Sequence, residues 1–330
     1  MTAIVTLIPA YKPEYLEDLF TGLNSQSFKD FRIVLSDDSP DGEVTRRIRA
    51  GMYENLIKNL NLLVLSGPRK GANKNIQYLI KGWGNEASLI HIHLDDDVIY
   101  PDFYRAHVAA NPSRAFSASV SLRWITAPDG RPSQRLSLPA FLETDNSRLV
   151  TVSSKNLFDS TIPHCVNWLG ELSNIVLDAR SAHRYLDTRI ADISYYGLED
   201  VGLLLDISRE SPLVVIRDHL GGFRSNPYQT SVQLKSHAIK CGHLAWGALA
   251  IAALTEGRLK PQAVVKSLRI VLERSSRLYA DDKQMEPFLQ LLTNKVDDLD
   301  SLGSEFQFLW HQFLDSNPHS SLRAGTGHLT

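Results

Sequence analysis

Asp95, Asp96 and Asp97 stand in a row behind the apolar run Leu89-Ile90-His91-Ile92-His93-Leu94 and ahead of Val98-Ile99-Tyr100-Pro101. Three adjacent carboxylates repel one another, and a cation relieves that repulsion. Hard divalent ions such as Mg2+ or Mn2+ take oxygen ligands, usually one or two carboxylates plus substrate phosphates. A short run rich in isoleucine and leucine reads as a buried strand. The carboxylates then fall at a strand's C-terminal end, where open α/β sheets bind their ligands. The competing reading is a solvated acidic turn with Asp102 capping the next helix.

Two other strand ends carry complementary chemistry. Leu7-Ile8-Pro9-Ala10-Tyr11-Lys12-Pro13 leaves the first predicted strand, and Ser36-Asp37-Asp38-Ser39-Pro40-Asp41-Gly42 leaves the second. An aromatic ring and an acidic loop side by side suit a nucleotide base and ribose, because a carboxylate accepts the imide N–H of uracil or thymine. Taken alone, the second stretch also reads as a turn redirected at Asp41-Gly42. Arg69, Lys70 and Lys74 precede or open the helix after the third strand, where cations and helix N-terminal N–H groups meet phosphates. Their alternative is solvated surface. Glu199-Asp200 precedes a helical pattern, and both acids suit its positive N-terminus. His91 and His93 share one strand face by period two and read as structural.

The elements that position these residues alternate through about residue 110. Strands are predicted over Ala3 to Ile8, Phe31 to Ser36, Leu62 to Leu65 and Leu89 to Leu94. Helices fall between them over Glu14 to Gln26, Glu43 to Lys58 and Ala72 to Trp83. Such alternation implies right-handed crossovers and a parallel sheet. A hairpin follows, Ala115 to Trp124 turning at Asp129-Gly130, then strands Leu172 to Leu177 and Leu213 to Ile216 with a helix over Glu199 to Ser208. After about Ser231 only helical patterns remain, near 234–254, 261–279, 285–297 and 304–314. Phe306, Leu309, Trp310 and Phe313 form one apolar helix face there.

Composition narrows the class. With 43% apolar and 22% charged residues in 330, the chain is an ordinary globular protein, and a net charge of −2 gives no electrostatic case for nucleic acid. Two cysteines, Cys165 and Cys241, neither form a disulfide framework nor show zinc spacing. The N-terminus enters a strand pattern at once, without the basic and apolar regions of a signal peptide. The apolar stretch Leu244 to Leu254 is shorter than the ~20 residues that span a bilayer.

In order and spacing the chain resembles the family 2 glycosyltransferases of the GT-A fold. The resemblance runs through Ile8-Pro9-Ala10-Tyr11, Gln26-Ser27-Phe28-Lys29-Asp30-Phe31, Asp37 to Gly42, Gly71-Ala72-Asn73-Lys74-Asn75, Asp95-Asp96-Asp97, Trp168-Leu169-Gly170-Glu171-Leu172-Ser173 and Gly197-Leu198-Glu199-Asp200. It implies an α/β GT-A domain over 1–232, with a nucleotide-binding half (1–110) and an acceptor half (111–232). A helical region (233–316) and a tail (317–330) follow. Asp38 matches the uracil-binding aspartate of UDP-sugar enzymes, and Tyr11 with Pro9 and Ala10 matches the residues close to the base. Arg69 and Lys74 are the candidates to meet the phosphates or base of such a donor. The triplet matches the DxD region that holds metal, ribose and diphosphate. Asp95 and Asp97 fit the DxD spacing, whereas counting back from Pro101 selects Asp96, so all three remain candidates.

Glu199-Asp200 matches the family's acidic pair, with Asp200 the implied general base. Trp168 and Glu171 match its acceptor-side loop, and His219 stands where some relatives place a further metal ligand. The Gln-x-x-Arg-Trp signature of processive members is absent, although Arg224 and Gln229 lie in its neighbourhood. The resemblance therefore implies inverting transfer of one sugar from a UDP-sugar, with Mn2+ or Mg2+, to a saccharide or glycoconjugate hydroxyl, in the cytoplasm. Contact with the inner membrane surface and a homodimer through the C-terminal helices stay open. One rival, a nucleotidyltransferase, calls for a glycine-rich loop after the first strand, and Pro9-Ala10-Tyr11-Lys12-Pro13 has no glycine. The other is a non-catalytic nucleotide-sugar binder.

Overall fold

In a computed structural model the alternating N-terminal pattern becomes parallel strands joined by helices; residues 2–225 and 234–316 are described. The expected tail, 317–330, and Gln229 lie outside the described residues. In chain order the strands are β1 (Thr2–Ala10), β2 (Phe31–Asp37), β3 (Leu62–Ser66), β4 (Ala87–Ile92), β5 (Val98–Ile99), β6 (Ala118–Thr126), β7 (Pro132–Arg135), β8 (Leu149–Val152), β9 (Ile175–Asp178), β10 (Arg189–Ile190), β11 (Ile193–Ser194) and β12 (Leu213–Arg224). The helices are α1 (Leu16–Asn24), α2 (Glu43–Arg49), α3 (Glu54–Ile57), α4 (Ala72–Trp83), α5 (Phe103–Ala110), α6 (Ala140–Glu143), α7 (Ser154–Thr161), α8 (Ala179–Ala182), α9 (Glu199–Ser208), α10 (His237–Thr255), α11 (Pro261–Tyr279), α12 (Glu286–Lys295) and α13 (Leu299–Asp315).

The described residues form two compact units. One draws on residues 2–157, 167–187 and 203–225, the other on 158–166, 188–202 and 234–316. In the first unit the sheet order is β3-β2-β1-β4-β9-β6-β12-β5, with β7 on β6 and β8 on β12. β3, β2, β1 and β4 are parallel. Because the chain winds outward from β1 through β2 and β3 and then returns to β4, a topological switch lies between β1 and β4. β9 runs antiparallel to its neighbours β4 and β6, and β6 pairs parallel with β12.

β1 is apolar on both faces, Ile4, Val5, Leu7 and Ile8 all being wholly buried, as a strand covered by layers on both sides must be. α1 buries Leu16, Leu19, Phe20 and Leu23, spaced i, i+3, i+4 and i+7, into the same core as Ile33, Leu35, Phe103 and Tyr104. Each such side chain contributes on the order of 2 kcal/mol through burial. Three expected elements differ. The helix over 43–58 is two, α2 and α3, parted at Gly51, a residue poorly suited to a helix interior. β4 stops at Ile92, and the Leu94 N–H donates instead to Ser173 Oγ at 3.0 Å. Leu172–Asn174 is a 3-10 turn rather than strand, because Glu171 and Asn174 cap it reciprocally.

The second unit is built on α10 to α13 with the two-stranded β10–β11 pair. Phe306, Trp310 and Phe313 of α13 are buried as the apolar spacing predicted, and Trp310 Nε1–H donates to Ser194 O at 2.8 Å. Among the described residues α10 alone has the length and mean hydropathy, 1.3, of a membrane span; 67% of that window is buried inside the protein. A groove of about 910 Å3 in this unit, lined by Leu254, Val265, Ile270 and Leu299 among others, contains none of the motif residues.

Candidate active site

The loops leaving β1 and β4 meet at the topological switch. Tyr11 N–H and Lys12 N–H both donate to Asp95 Oδ2, at 2.5 and 2.6 Å. Lys12 Nζ forms an ion pair with Asp96 Oδ2. Asp97 Oδ1 accepts the Arg224 backbone N–H at 3.2 Å, while its Oδ2 is buried with no hydrogen-bond partner. The three carboxylates thus turn to three different partners. Among the described residues no group of three or more His, Cys, Asp or Glu side chains forms a metal cage by itself.

Burial dominates the electrostatics of Asp95 and Asp97. It pushes Asp95 up to about 6 against the two backbone N–H bonds, with the charge of Asp96 adding to the rise. It pushes Asp97 up to about 7, again helped by the charge of Asp96. For Lys12 burial opposes the ammonium, yet Asp96, with Asp95 and Asp97 behind it, outweighs burial and raises its value.

Two long-range ties hold the triplet's backbone. Arg224 is 1% exposed; its Nε donates to Asp96 O at 2.8 Å and an Nη to Asp18 Oδ2 at 2.8 Å. A second Nη reaches Pro128 O, and the guanidinium lies 4.7 Å from the Tyr15 ring centroid. Gln26, fully buried at the end of α1, donates to Tyr100 O at 2.8 Å and accepts Tyr104 N–H at 3.2 Å, which fixes the chain just past the triplet. A fully buried arginine has no signature in the local sequence pattern.

Beside β1, the end of β2 is organised by its two aspartates. Asp37 is held below the usual carboxylate range: burial opposes this, and the hydrogen bonds from Ser39 and Thr45 prevail. Asp38, 8% exposed, takes the Arg69 N–H on Oδ1 at 2.5 Å, while its own N–H donates to Ala10 O at 2.8 Å. Pro9 and Ala10 are buried strand residues, and Tyr11, 56% exposed, stands open to solvent. The side chains of Arg69 and Lys74 are exposed, and Asn75 of α4 ties that helix to Ser36 O at 3.0 Å.

Gly67, directly after β3, is the neighbour that Asp38 requires. A Cβ there falls 2.4 Å from Asp38 Oδ1 and 3.0 Å from Asp37 O. Gly67→Ala is therefore expected to move Asp38, to cost about 1–3 kcal/mol of stability and to weaken nucleotide binding at least tenfold. Urea unfolding and UDP calorimetry check this; unchanged UDP affinity separates Asp38 from the nucleotide.

Behind the triplet runs a buried neutral relay. Ser173 O can only accept, so the 3.0 Å contact places a proton on His91 Nε2. His91 Nδ1 then accepts from Tyr104 OH at 3.1 Å, and Tyr104 in turn accepts from Thr6 Oγ1 at 2.6 Å. His93 stacks on His91 with centroids 5.1 Å apart and both its nitrogens lack partners.

Burial lowers His91 to about 4. The unfolded chain takes up this proton near its ordinary value of ~6.5 while the folded state refuses it down to about 4, so folding stability falls with acidification across that window. Wild type is expected to lose roughly 3 kcal/mol at this residue between those limits. His91→Gln, which retains a donor and an acceptor, should have a shallower stability–pH slope in urea titrations. Equal slopes would remove His91 as the source.

In the stretch from Trp168 to Ser173, Arg123 Nη binds Glu171 Oε1 at 3.0 Å, and Asn174 Oδ1 accepts the Glu171 N–H at 2.8 Å. Trp168 is 3% exposed with its ring edge-on to Phe141 at 6.0 Å, so it presents little open face to a sugar. His219 lies over the Trp124 ring, centroids 4.4 Å apart, beside the bulges of β12. Burial and Arg135 lower its pKa, and it joins no metal-holding group with the aspartates. Glu199 and Asp200, in the second unit, occupy the first turn of α9, where Asp200 Oδ1 accepts the Val201 N–H at 2.8 Å.

The mixed α/β sheet with its flanking and C-terminal helices defines a GT-A-like glycosyltransferase fold. Residues 1–349 of TarS from S. aureus, solved with UDP-GlcNAc, share it at 12% identity and a TM-score of 0.52, over 96% of this chain and 92% of that one. The mannosyltransferase PcManGT from Pyrobaculum calidifontis, solved with GDP-Man and Mn2+, matches at 12% identity and a TM-score of 0.52, over 94% of this chain and 86% of that one. At such identities the likeness is one of fold. Against a longer S. aureus TarS chain, this chain spans 55% of its length. No family model and no curated protein matches the sequence.

Proposed function

We propose that the chain transfers a single sugar, with inversion, from a nucleotide-sugar to a hydroxyl of a saccharide or glycoconjugate, and that the donor is a UDP-sugar. The observation that carries this reading is the crevice between β1 and β4. There the exposed Tyr11, the buried Asp38 and the aspartate triplet line adjacent ends of parallel strands, bound together by the Tyr11 and Lys12 N–H bonds to Asp95. The UDP-GlcNAc of one solved neighbour and the GDP-Man and Mn2+ of the other support a nucleotide-sugar and a divalent ion.

The triplet suits a hard divalent ion: its side chains offer only carboxylate oxygens, and Asp97 Oδ2 is buried without a partner. Asp95 Oδ2 already accepts two backbone N–H groups, which leaves Asp96 and Asp97, with the other Asp95 oxygen, to hold Mn2+ or Mg2+. When bound, such an ion supplies positive charge against the departing diphosphate. Asp38 accepts the uracil imide proton, and Tyr11 offers a ring face to the base. Arg69 and Lys74 meet the phosphates. Glu171, steadied by Arg123, accepts acceptor hydroxyls, whereas Trp168 packs and His219 stays on Trp124.

Asp200 is the general base, with Glu199 beside it, an assignment supported by the motif order rather than by geometry. A carboxylate within hydrogen-bond reach takes the hydroxyl proton as the new bond forms, and attack opposite the leaving group inverts the anomeric carbon.

A thermal-shift panel of UDP-, TDP-, GDP- and CMP-sugars with and without Mn2+ tests the reading. A ligand that binds the native state raises its apparent stability, so the largest rise is expected for UDP-sugars with Mn2+, and Asp96→Ala should abolish the metal-dependent part. A panel without response overturns the donor reading, and a product of retained configuration overturns inversion.

A further inference from the structure

We propose that Lys12 is a resident counter-cation: in the metal-free protein its ammonium occupies Asp96, and a divalent ion must displace it. This rests on the reading of the aspartate triplet as the metal site. The Asp96 side chain is 9% exposed, whereas that of Lys12 is 34% exposed. The carboxylate is thus fixed inside, and the ammonium sits on a flexible stem with a path to solvent. Lys12's backbone is held independently, through its N–H bond of 2.6 Å to Asp95 Oδ2. Its side chain can leave without the β1 loop being released.

Arg224, which also touches the triplet, cannot act in this way, because its guanidinium is buried and committed to Asp96 O, Pro128 O and Asp18. An ammonium on Asp96 Oδ2 stands within a few ångströms of any divalent ion on the same carboxylate, and the two cations repel, so each weakens the other's hold there. Metal alone therefore binds weakly. A donor diphosphate offers the released ammonium a new anionic partner, so metal and donor favour each other's binding.

Two measurements test the exchange. In the wild-type protein, Mn2+ should raise the rate at which an amine-reactive reagent labels Lys12 several-fold, read by peptide mass spectrometry, while labelling of exposed Lys81 stays constant. Unchanged or slower labelling of Lys12 overturns the proposal. In Mn2+ titrations without nucleotide, followed by electron paramagnetic resonance, Lys12→Met should bind Mn2+ roughly tenfold more tightly than wild type. Lys12→Arg, which restores the cation, should bind no more tightly than wild type. Equal or weaker binding by Lys12→Met overturns the competition. If Asp96→Asn abolishes Mn2+ binding while Lys12→Met leaves it unchanged, only the counter-cation fails. If Asp96→Asn leaves Mn2+ binding intact, the metal reading fails and the proposal falls with it.

Discussion

Arg224→Met is expected to destabilise the protein by about 3–5 kcal/mol, a fall of roughly 10 °C in melting temperature, and to abolish Mn2+-dependent nucleotide binding. The guanidinium is a three-way clamp. It reaches the backbone of the triplet at Asp96 O, the β6–β7 turn at Pro128 O, and α1 through Asp18. Methionine fills much of the volume but leaves two carbonyl oxygens without their donor, and an unsatisfied buried acceptor costs its full desolvation penalty. The Asp97 contact survives, because it uses the residue's backbone N–H. The middle of the triplet, at Asp96 O, then loses its tie, while Asp95 and Asp97 keep theirs on either side.

Arg224→Lys should rescue little, since one ammonium cannot reproduce a planar fork aimed at three partners and stacked on Tyr15. Calorimetric unfolding and titration with UDP plus Mn2+ decide the matter. A variant within 1 kcal/mol of wild type that binds normally would show that the triplet needs no clamp.

The parts of this protein legible in its sequence are those set by local periodicity. β1 to β4 and the helices between them announce themselves through short apolar runs and stretches of period 3.6, and the strand-end placement of Asp95 to Asp97 follows from them. The C-terminal helices were visible for the same reason. What stayed hidden depends on contacts between distant residues. Nothing near Lys12 indicates that its N–H and ammonium meet aspartates more than eighty positions away. Trp168 matches the acceptor-side loop by resemblance, although a tryptophan more often serves as core, and its burial edge-on to Phe141 is a contact that the local sequence does not show. Residues 158–166 and 188–202 precede the helical region in sequence, yet they pack with it, because Cys165 meets Ser267 and Ser194 meets Trp310. His91 and His93 were placed on one strand face; their neutral state follows from the burial that only the fold supplies.

Asp200→Asn is expected to lower the rate of sugar transfer by roughly 10^2–10^4-fold while leaving donor affinity unchanged. The substitution is chosen for what it keeps. An asparagine oxygen still accepts the Val201 N–H that Asp200 Oδ1 takes at 2.8 Å, so the first turn of α9 holds its shape while the basic group is lost. The segment leading to it is braced from the C-terminal helices. At Gly197, with φ +97, a Cβ would fall 2.7 Å from Gly242 N of α10, and Ser194 O is bound by Trp310 of α13. A rigid mount of this kind makes a side-chain substitution a test of chemistry rather than of folding.

Single-turnover transfer and donor calorimetry give the two quantities needed. Loss of rate at constant donor affinity is the mark of an interaction made only in the transition state, as proton removal from the attacking hydroxyl must be. Loss of both points to a displaced loop. Turnover within a few-fold of wild type removes Asp200 as the base and leaves Glu199, in the same first turn, as the carboxylate to test by the same pair of measurements.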